Sequence, residues 1–150
     1  TLAAWIYIGA TASDRVIMHK VNAYGLNLAY SAGGVGGAAG KIGFHRFAGA
    51  SWSSVNSTSN QPLNSWVFVV GTYDGTSSKI YINGNYEAST DNATATGVNN
   101  NALTLGYNST AGLSGQLDDT RIYNYALTAT QIKTLYNNGA VNFGPATGTP

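Results

Sequence analysis

The sequence contains no cysteine. That excludes a disulfide framework, a thiolate metal site and a cysteine nucleophile. Charge is scarce too: Asp, Glu, Lys and Arg make up 9% of the 150 residues, against about 25% in an ordinary soluble domain. The net charge is +1, with no basic cluster. The several Lys and Arg contacts that neutralise nucleic-acid phosphates are therefore missing, and no nucleic-acid partner is expected. No apolar run reaches the roughly 18 residues of a spanning helix, so no membrane insertion is expected. Glu87 is the only glutamate, and His19 and His45 are the only histidines. Nothing in the histidine flanks suggests a triad or a zinc site. Each is expected to face solvent or to be hydrogen-bonded.

Asn, Ser, Thr and Gly carry the polarity instead, which suits exposed strands and tight turns. This composition leans toward an extracellular or cell-surface location. Hydrophobic residues make up 43% of the chain, enough for one domain with its own core. Residues 1–140 are expected to form that domain. Residues 141–150, rich in Gly, Pro and Thr, read as a linker-like tail.

Strand signals dominate. In Leu2-Ala3-Ala4-Trp5-Ile6-Tyr7-Ile8 both alternating faces are apolar, as in an inner strand. Further strands are predicted over residues 15–20, 26–30, 41–47 and 52–55. The segment Trp66-Val67-Phe68-Val69-Val70-Gly71-Thr72-Tyr73 is β-branched and aromatic, and stops at the turn signal Asp74-Gly75. Residues 79–82 follow and stop at Asn83-Gly84, the dipeptide of a type I′ hairpin. Residues 86–90, 103–107 and 116–123 close the series. One helix is predicted: Thr128 is its N-cap and Gln131 completes a capping box. Leu127 and Ile132 form its hydrophobic staple, and Gly139 ends it. The expected fold is all-β, an antiparallel β-sandwich of jelly-roll type with one short C-terminal helix plugging an end. Trp5, Trp66 and Tyr81 are assigned to core or inter-sheet packing. The Gly33-to-Gly40 stretch lacks the ending of a phosphate loop and reads as a hairpin tip.

Several motifs fall in a telling order: WVFVVGTYDGTSSKIYINGNYEAS, then LTLGYN, then GLSGQLDDTRIYNYALTATQIKTLYNNG. With the opening TLAAWIYI, they resemble the laminin-G-like, concanavalin A-like lectin/glucanase jelly-roll family. The resemblance implies two curved antiparallel sheets, binding of a glycan or a surface protein, and often a structural calcium ion. Members usually carry a strand before the position that matches Thr1. The domain is therefore expected to lack its first strand or strands, leaving the late strand over residues 116–123 with an open flank.

Leu117 and Ile122 are separated by an odd offset, so a bulge at Asp118-Asp119 is needed to put both on the core side. The resemblance points to Asp118 as the acid of a structural calcium site. The alternative is that Asp118 caps turn backbone and Asp119 pairs with Arg121 or solvent. Glycoside hydrolysis needs two carboxylates flanking the bond; the acids available are few, and the Glu-rich strand motif of related hydrolases is absent. No enzymatic activity is expected. Aromatic faces can stack on sugars, and Tyr24, Tyr30, Trp52 and Tyr107 are the candidates for carbohydrate contact. The expected function is a non-catalytic extracellular carbohydrate-binding or adhesion module of a larger surface or secreted protein, a lectin-like role. The alternative is a structural subunit or spacer, self-assembling through strand edges or accepting a strand from another chain.

Overall fold

The computed structural model describes residues 1–9, 15–29, 40–107 and 112–139. The Gly-rich stretch up to Ala39, Tyr30 and residues 141–150 lie outside the described residues. Among those described, the chain forms β1 (Leu2–Ile8), β2 (Arg15–Lys20), β3 (Tyr24–Ala29), β4 (Lys41–Ala48) and β5 (Ser51–Asn56). Then come β6 (Trp66–Tyr73), β7 (Ser77–Ile82), β8 (Asn85–Asp91), β9 (Leu103–Leu105), β10 (Gly115–Ile122) and helix α1 (Ala129–Gly139). One sheet has the order β10-β1-β6-β7-β8 and the other β5-β4-β3-β2-β9. All the pairings are antiparallel. The expected all-β sandwich with one C-terminal helix is therefore what the chain adopts.

Local chemistry sets the hairpins. Asn83 and Gly84 both have positive φ, 49° and 76°, the conformation a type I′ turn requires. At the β6–β7 turn, Asp74 accepts hydrogen bonds from the Thr76 and Ser77 amides and from Lys79 Nζ. These hold its carboxyl down at about 2, the Ser77 amide contributing most.

The main core lies between the sheets, where Leu2, Ala4, Ile6 and Ile8 of β1 meet Leu26, Leu28, Ile42 and Phe44 of the facing sheet. Phe44 packs over Gly71 so closely that a Cβ there would lie 2.4 Å from its Cγ. Gly71→Ala is therefore expected to cost about 1–3 kcal/mol, the range for overpacking. Trimming the ring in a Gly71→Ala/Phe44→Leu double variant should recover part of that loss in a denaturant-unfolding cycle. Strict additivity would show that the two sites do not touch.

The helix does not plug an end of the sandwich. It lies on the outer face of the β10-β1-β6-β7-β8 sheet, where Leu127 and Ile132 join Ala3, Phe68, Val70 and Tyr81 in a second cluster. This explains why both faces of β1 are apolar: one meets the other sheet and one meets the helix. Trp5 and Tyr81 belong to this outer cluster, with Trp5 stacked on Tyr136 at 5.5 Å. Trp66 is not core at all: it is 42% exposed and rests against Tyr7. It begins β6, where the helix no longer covers the sheet.

The capping box forms as expected. The Thr128 amide donates to Gln131 Oε1 at 2.8 Å and the Gln131 amide to Thr128 Oγ1 at 3.3 Å. The bulge also forms. Ala3 opposes Arg121 and Trp5 opposes Asp118, so β10 holds one extra residue there, and Asp119 takes φ 46°. Leu117 and Ile122 consequently oppose Ile6 and Leu2 on the core side. Among the described residues β10 pairs with β1 alone and is an edge strand.

Candidate functional site

Alternation within β4 places Ile42, Phe44 and Arg46 on the inner face, because their partners Leu28, Leu26 and Tyr24 point inward. Arg46 sits where that apolar row reaches the end of the sandwich. There the two sheets part around a cleft of about 640 Å³, a volume in the usual range for small-ligand sites. Its walls are Tyr24 and Phe44 from one sheet, and Tyr73, Ile122, Tyr123 and Tyr125 from the ends of β6 and β10. The start of β1 fastens the far wall: Thr1 Oγ1 donates to the Tyr125 carbonyl at 2.8 Å and accepts from the Leu127 amide at 2.9 Å. The remaining wall is the segment around Gly97, whose amide donates to the Phe47 carbonyl at 2.7 Å. Tyr125 is 52% exposed and Ile122 50% exposed, so the rim is apolar and open to solvent.

Arg46 is 1% exposed. Its Nε donates to Ser78 Oγ, Nη1 to the Thr94 carbonyl and Thr96 Oγ1, and Nη2 to the Asn92 carbonyl, all at 2.9–3.1 Å. The guanidinium carbon lies 3.4 Å from the centroid of the Tyr73 ring, a cation–π contact. Burial pushes the guanidinium pKa down and Tyr73 acts against that; the group stays charged. Sequence reasoning missed this residue. The signal was present: an arginine on the apolar side of an alternating strand, which is rarely buried without a reason.

The candidate sugar-contact residues do not converge. Tyr24 is in the cleft. Trp52 lies on the outer face of the β5-β4-β3-β2-β9 sheet, edge-on to His45 and Phe47. Tyr107 is exposed just beyond β9 and bridges to Gly112. Tyr30 lies outside the described residues.

His45 overturns the expectation of a solvent-facing or hydrogen-bonded histidine. It is fully buried, and neither ring nitrogen has a hydrogen-bond partner. Its ring reaches across β3 over Gly25, where a Cβ would lie 2.6 Å from Nε2. His19 stands beyond, 5.8 Å away between ring centroids. Burial first, and the His19 charge second, push the His45 pKa down to about 3.

Three of the acids are engaged elsewhere. Asp118 Oδ1 accepts from the Asp119 amide at 2.7 Å, and Asp119 forms a two-point pair with Arg121 at 2.6 and 2.7 Å. Asp118 opposes Trp5 and so faces the outer side of its sheet, beside Trp66. The described residues contain no group of three or more His, Asp or Glu side chains able to share a metal. Glu87 takes four hydrogen bonds, from the amides and hydroxyls of Thr58 and Ser59 at 2.6–2.9 Å. Burial would raise its pKa, but these bonds outweigh it and the net shift is downward.

Residues 1–133 match the family model described as the concanavalin A-like lectin/glucanases superfamily. No curated protein matches the chain significantly. Among solved structures, the chain is similar to a protein of Bacteroides ovatus provisionally named as carbohydrate-binding, with TM-score 0.74 and 22% identity over 88% of this chain. It is similar to domain 4 of AbnA, an extracellular arabinanase of Geobacillus stearothermophilus in complex with arabinotriose, with TM-score 0.68 and 22% identity over 90% of this chain. It is also similar to the binding domain of botulinum neurotoxin DC in complex with SialylT, with TM-score 0.69 and 19% identity over 91% of this chain. The chain spans 39%, 65% and 34% of those three chains. At such identities the likeness establishes the fold.

Proposed function

From the premise that the chain belongs to the concanavalin A-like lectin/glucanase superfamily, we propose that it is a non-catalytic carbohydrate-binding module of a larger extracellular or cell-surface protein. The glycan is placed in the end cleft. The observation that carries this reading is the convergence there of four tyrosines, Tyr24, Tyr73, Tyr123 and Tyr125, around one buried guanidinium. Tyrosine offers a flat apolar ring for the C–H face of a sugar and a polar tip for its hydroxyls. The similar structures include domains bound to arabinotriose and to SialylT, which supports glycan as the ligand class. Among the described residues no Asp or Glu lines the cleft, so they place no pair of carboxylates there to flank a glycosidic bond.

The test is a glycan array followed by calorimetry on the binding sugars. Tyr125→Ala should weaken binding about tenfold, equivalent to ~1.4 kcal/mol, with the melting temperature nearly unchanged because the side chain is half exposed. Trp52→Ala and Tyr107→Ala, outside the cleft, should leave affinity within about twofold, well under that ~1.4 kcal/mol. An array without hits removes the reading. Loss of binding in Trp52→Ala alone moves the site to the outer face of the other sheet.

Calcium at Asp118 is a separate proposal, with backbone carbonyls completing the oxygen set around its carboxylate. Melting in calcium against chelator tests it: a ligand of the folded state adds ~2.7 kcal/mol at one hundred times its Kd, and coincident curves remove the idea. Assembly through strand edges is the second reading, favoured by the edge position of β10 with Ile122 exposed. A stable monomer in sedimentation across a wide concentration range counts against it.

A further inference from the structure

The cleft residues also bear on which glycans enter. Among the described residues that line it, Arg46 is the only side chain of formal charge. Its hydrogen-bond partners are two carbonyls and a hydroxyl from residues 92–96, and the Ser78 hydroxyl, none of them ionised. Three of the acids are committed elsewhere: Asp74 to Lys79, Asp119 to Arg121, Glu87 to Thr58 and Ser59. No ion pair to Arg46 exists among the described residues. A charge taken out of water and met only by dipoles is costly to keep. Four of its five N–H donors are used within the chain, all on neutral groups, so its positive charge is not neutralised by a carboxylate among the described residues. A cleft with one sign of charge and low-dielectric walls concentrates that field.

Resting on the glycan reading above, we propose that the end cleft selects glycans bearing an anionic group, a carboxylate or a sulfate ester, with Arg46 as the charge that selects them. The tyrosines hold the sugar ring, and the anionic group sits in the cleft near Arg46, drawn by the field of a guanidinium that is itself buried in the cleft wall. The carbonyls that fix Arg46 keep its plane from turning, so the preference is one of charge placed at a set point in the cleft.

The experiment compares three probes by calorimetry on the whole chain: an oligogalacturonide, its methyl ester, and a sulfated oligosaccharide of similar length. The uronate should bind at least tenfold more tightly than its ester, and the gap should shrink as salt rises from low ionic strength to about 0.5 M. A better fit for the sulfated probe identifies the sulfate ester as the natural group; a better fit for the uronate identifies the carboxylate. Arg46→Lys should keep part of the preference and Arg46→Gln should lose it. Arg46→Gln also removes structural hydrogen bonds, so the ester comparison and the salt series on the unaltered chain carry the decision. Equal binding of uronate and ester overturns this inference while the glycan reading stands. Binding of neutral sugars only does the same, and binding of no sugar removes both.

Discussion

Lowering the pH from neutrality to about 4 is expected to cost the domain about 3 kcal/mol through His45 alone. In the folded chain the imidazole is buried among β2, β3 and β4 and titrates near 3. In the unfolded chain it titrates near 6.5. Between those values the unfolded state takes up a proton that the folded state refuses. The contribution is thus fully present above pH ~6.5 and is lost as the pH falls toward the folded value. Burial also lowers the His19 pKa, which adds to the same trend. Asp74 acts later, since its carboxyl titrates at about 2 when folded, and its loss begins below about pH 4. The check is urea unfolding at several pH values from neutral to about 4. His45→Leu should flatten the dependence over that window. It should be no less stable than the parent at neutral pH, because two buried, unpartnered ring nitrogens are replaced by apolar volume. An unchanged slope in His45→Leu would place the acid sensitivity elsewhere.

Ile132→Ala is expected to destabilise the domain by about 2–5 kcal/mol, against only ~1 kcal/mol for Thr128→Ala. Ile132 is fully buried against the outer face of the β10-β1-β6-β7-β8 sheet, together with Leu127, Phe68 and Tyr81. Thr128 holds only the first turn, through its reciprocal bonds with Gln131. A short helix of this kind cannot stand alone, so the sheet holds it through Ile132 far more than the cap does. Trp5, stacked on Tyr136, should report helix release in its fluorescence as Ile132→Ala unfolds. Equal small losses from both substitutions would show that the outer cluster is not part of the cooperative core.

The local devices of this fold were legible in the sequence, because each is written in a few adjacent residues. Asn83-Gly84 reads as a type I′ hairpin since both positions need positive φ. Thr128 and Gln131 read as a capping box. The parity of Leu117 and Ile122 demanded a bulge, and Asp119 supplies it. The order of motifs around them was enough to indicate the family. Tertiary structure decided what covers each face. Period-two patterning shows that both sides of β1 are apolar, but it does not tell a second sheet from a helix; α1 took the outer side. The same limit hid His45, whose burial depends on Gly25 one strand away leaving room for its ring. The cleft lay furthest from view. Its walls are the starts of β1 and β3 and the ends of β4, β6 and β10, and Thr1 meets Tyr125 across nearly the whole chain. Which strand ends become neighbours depends on pairing between distant segments, and that pairing is fixed by the collective burial of two sheets and a helix, so no short stretch of sequence contains it.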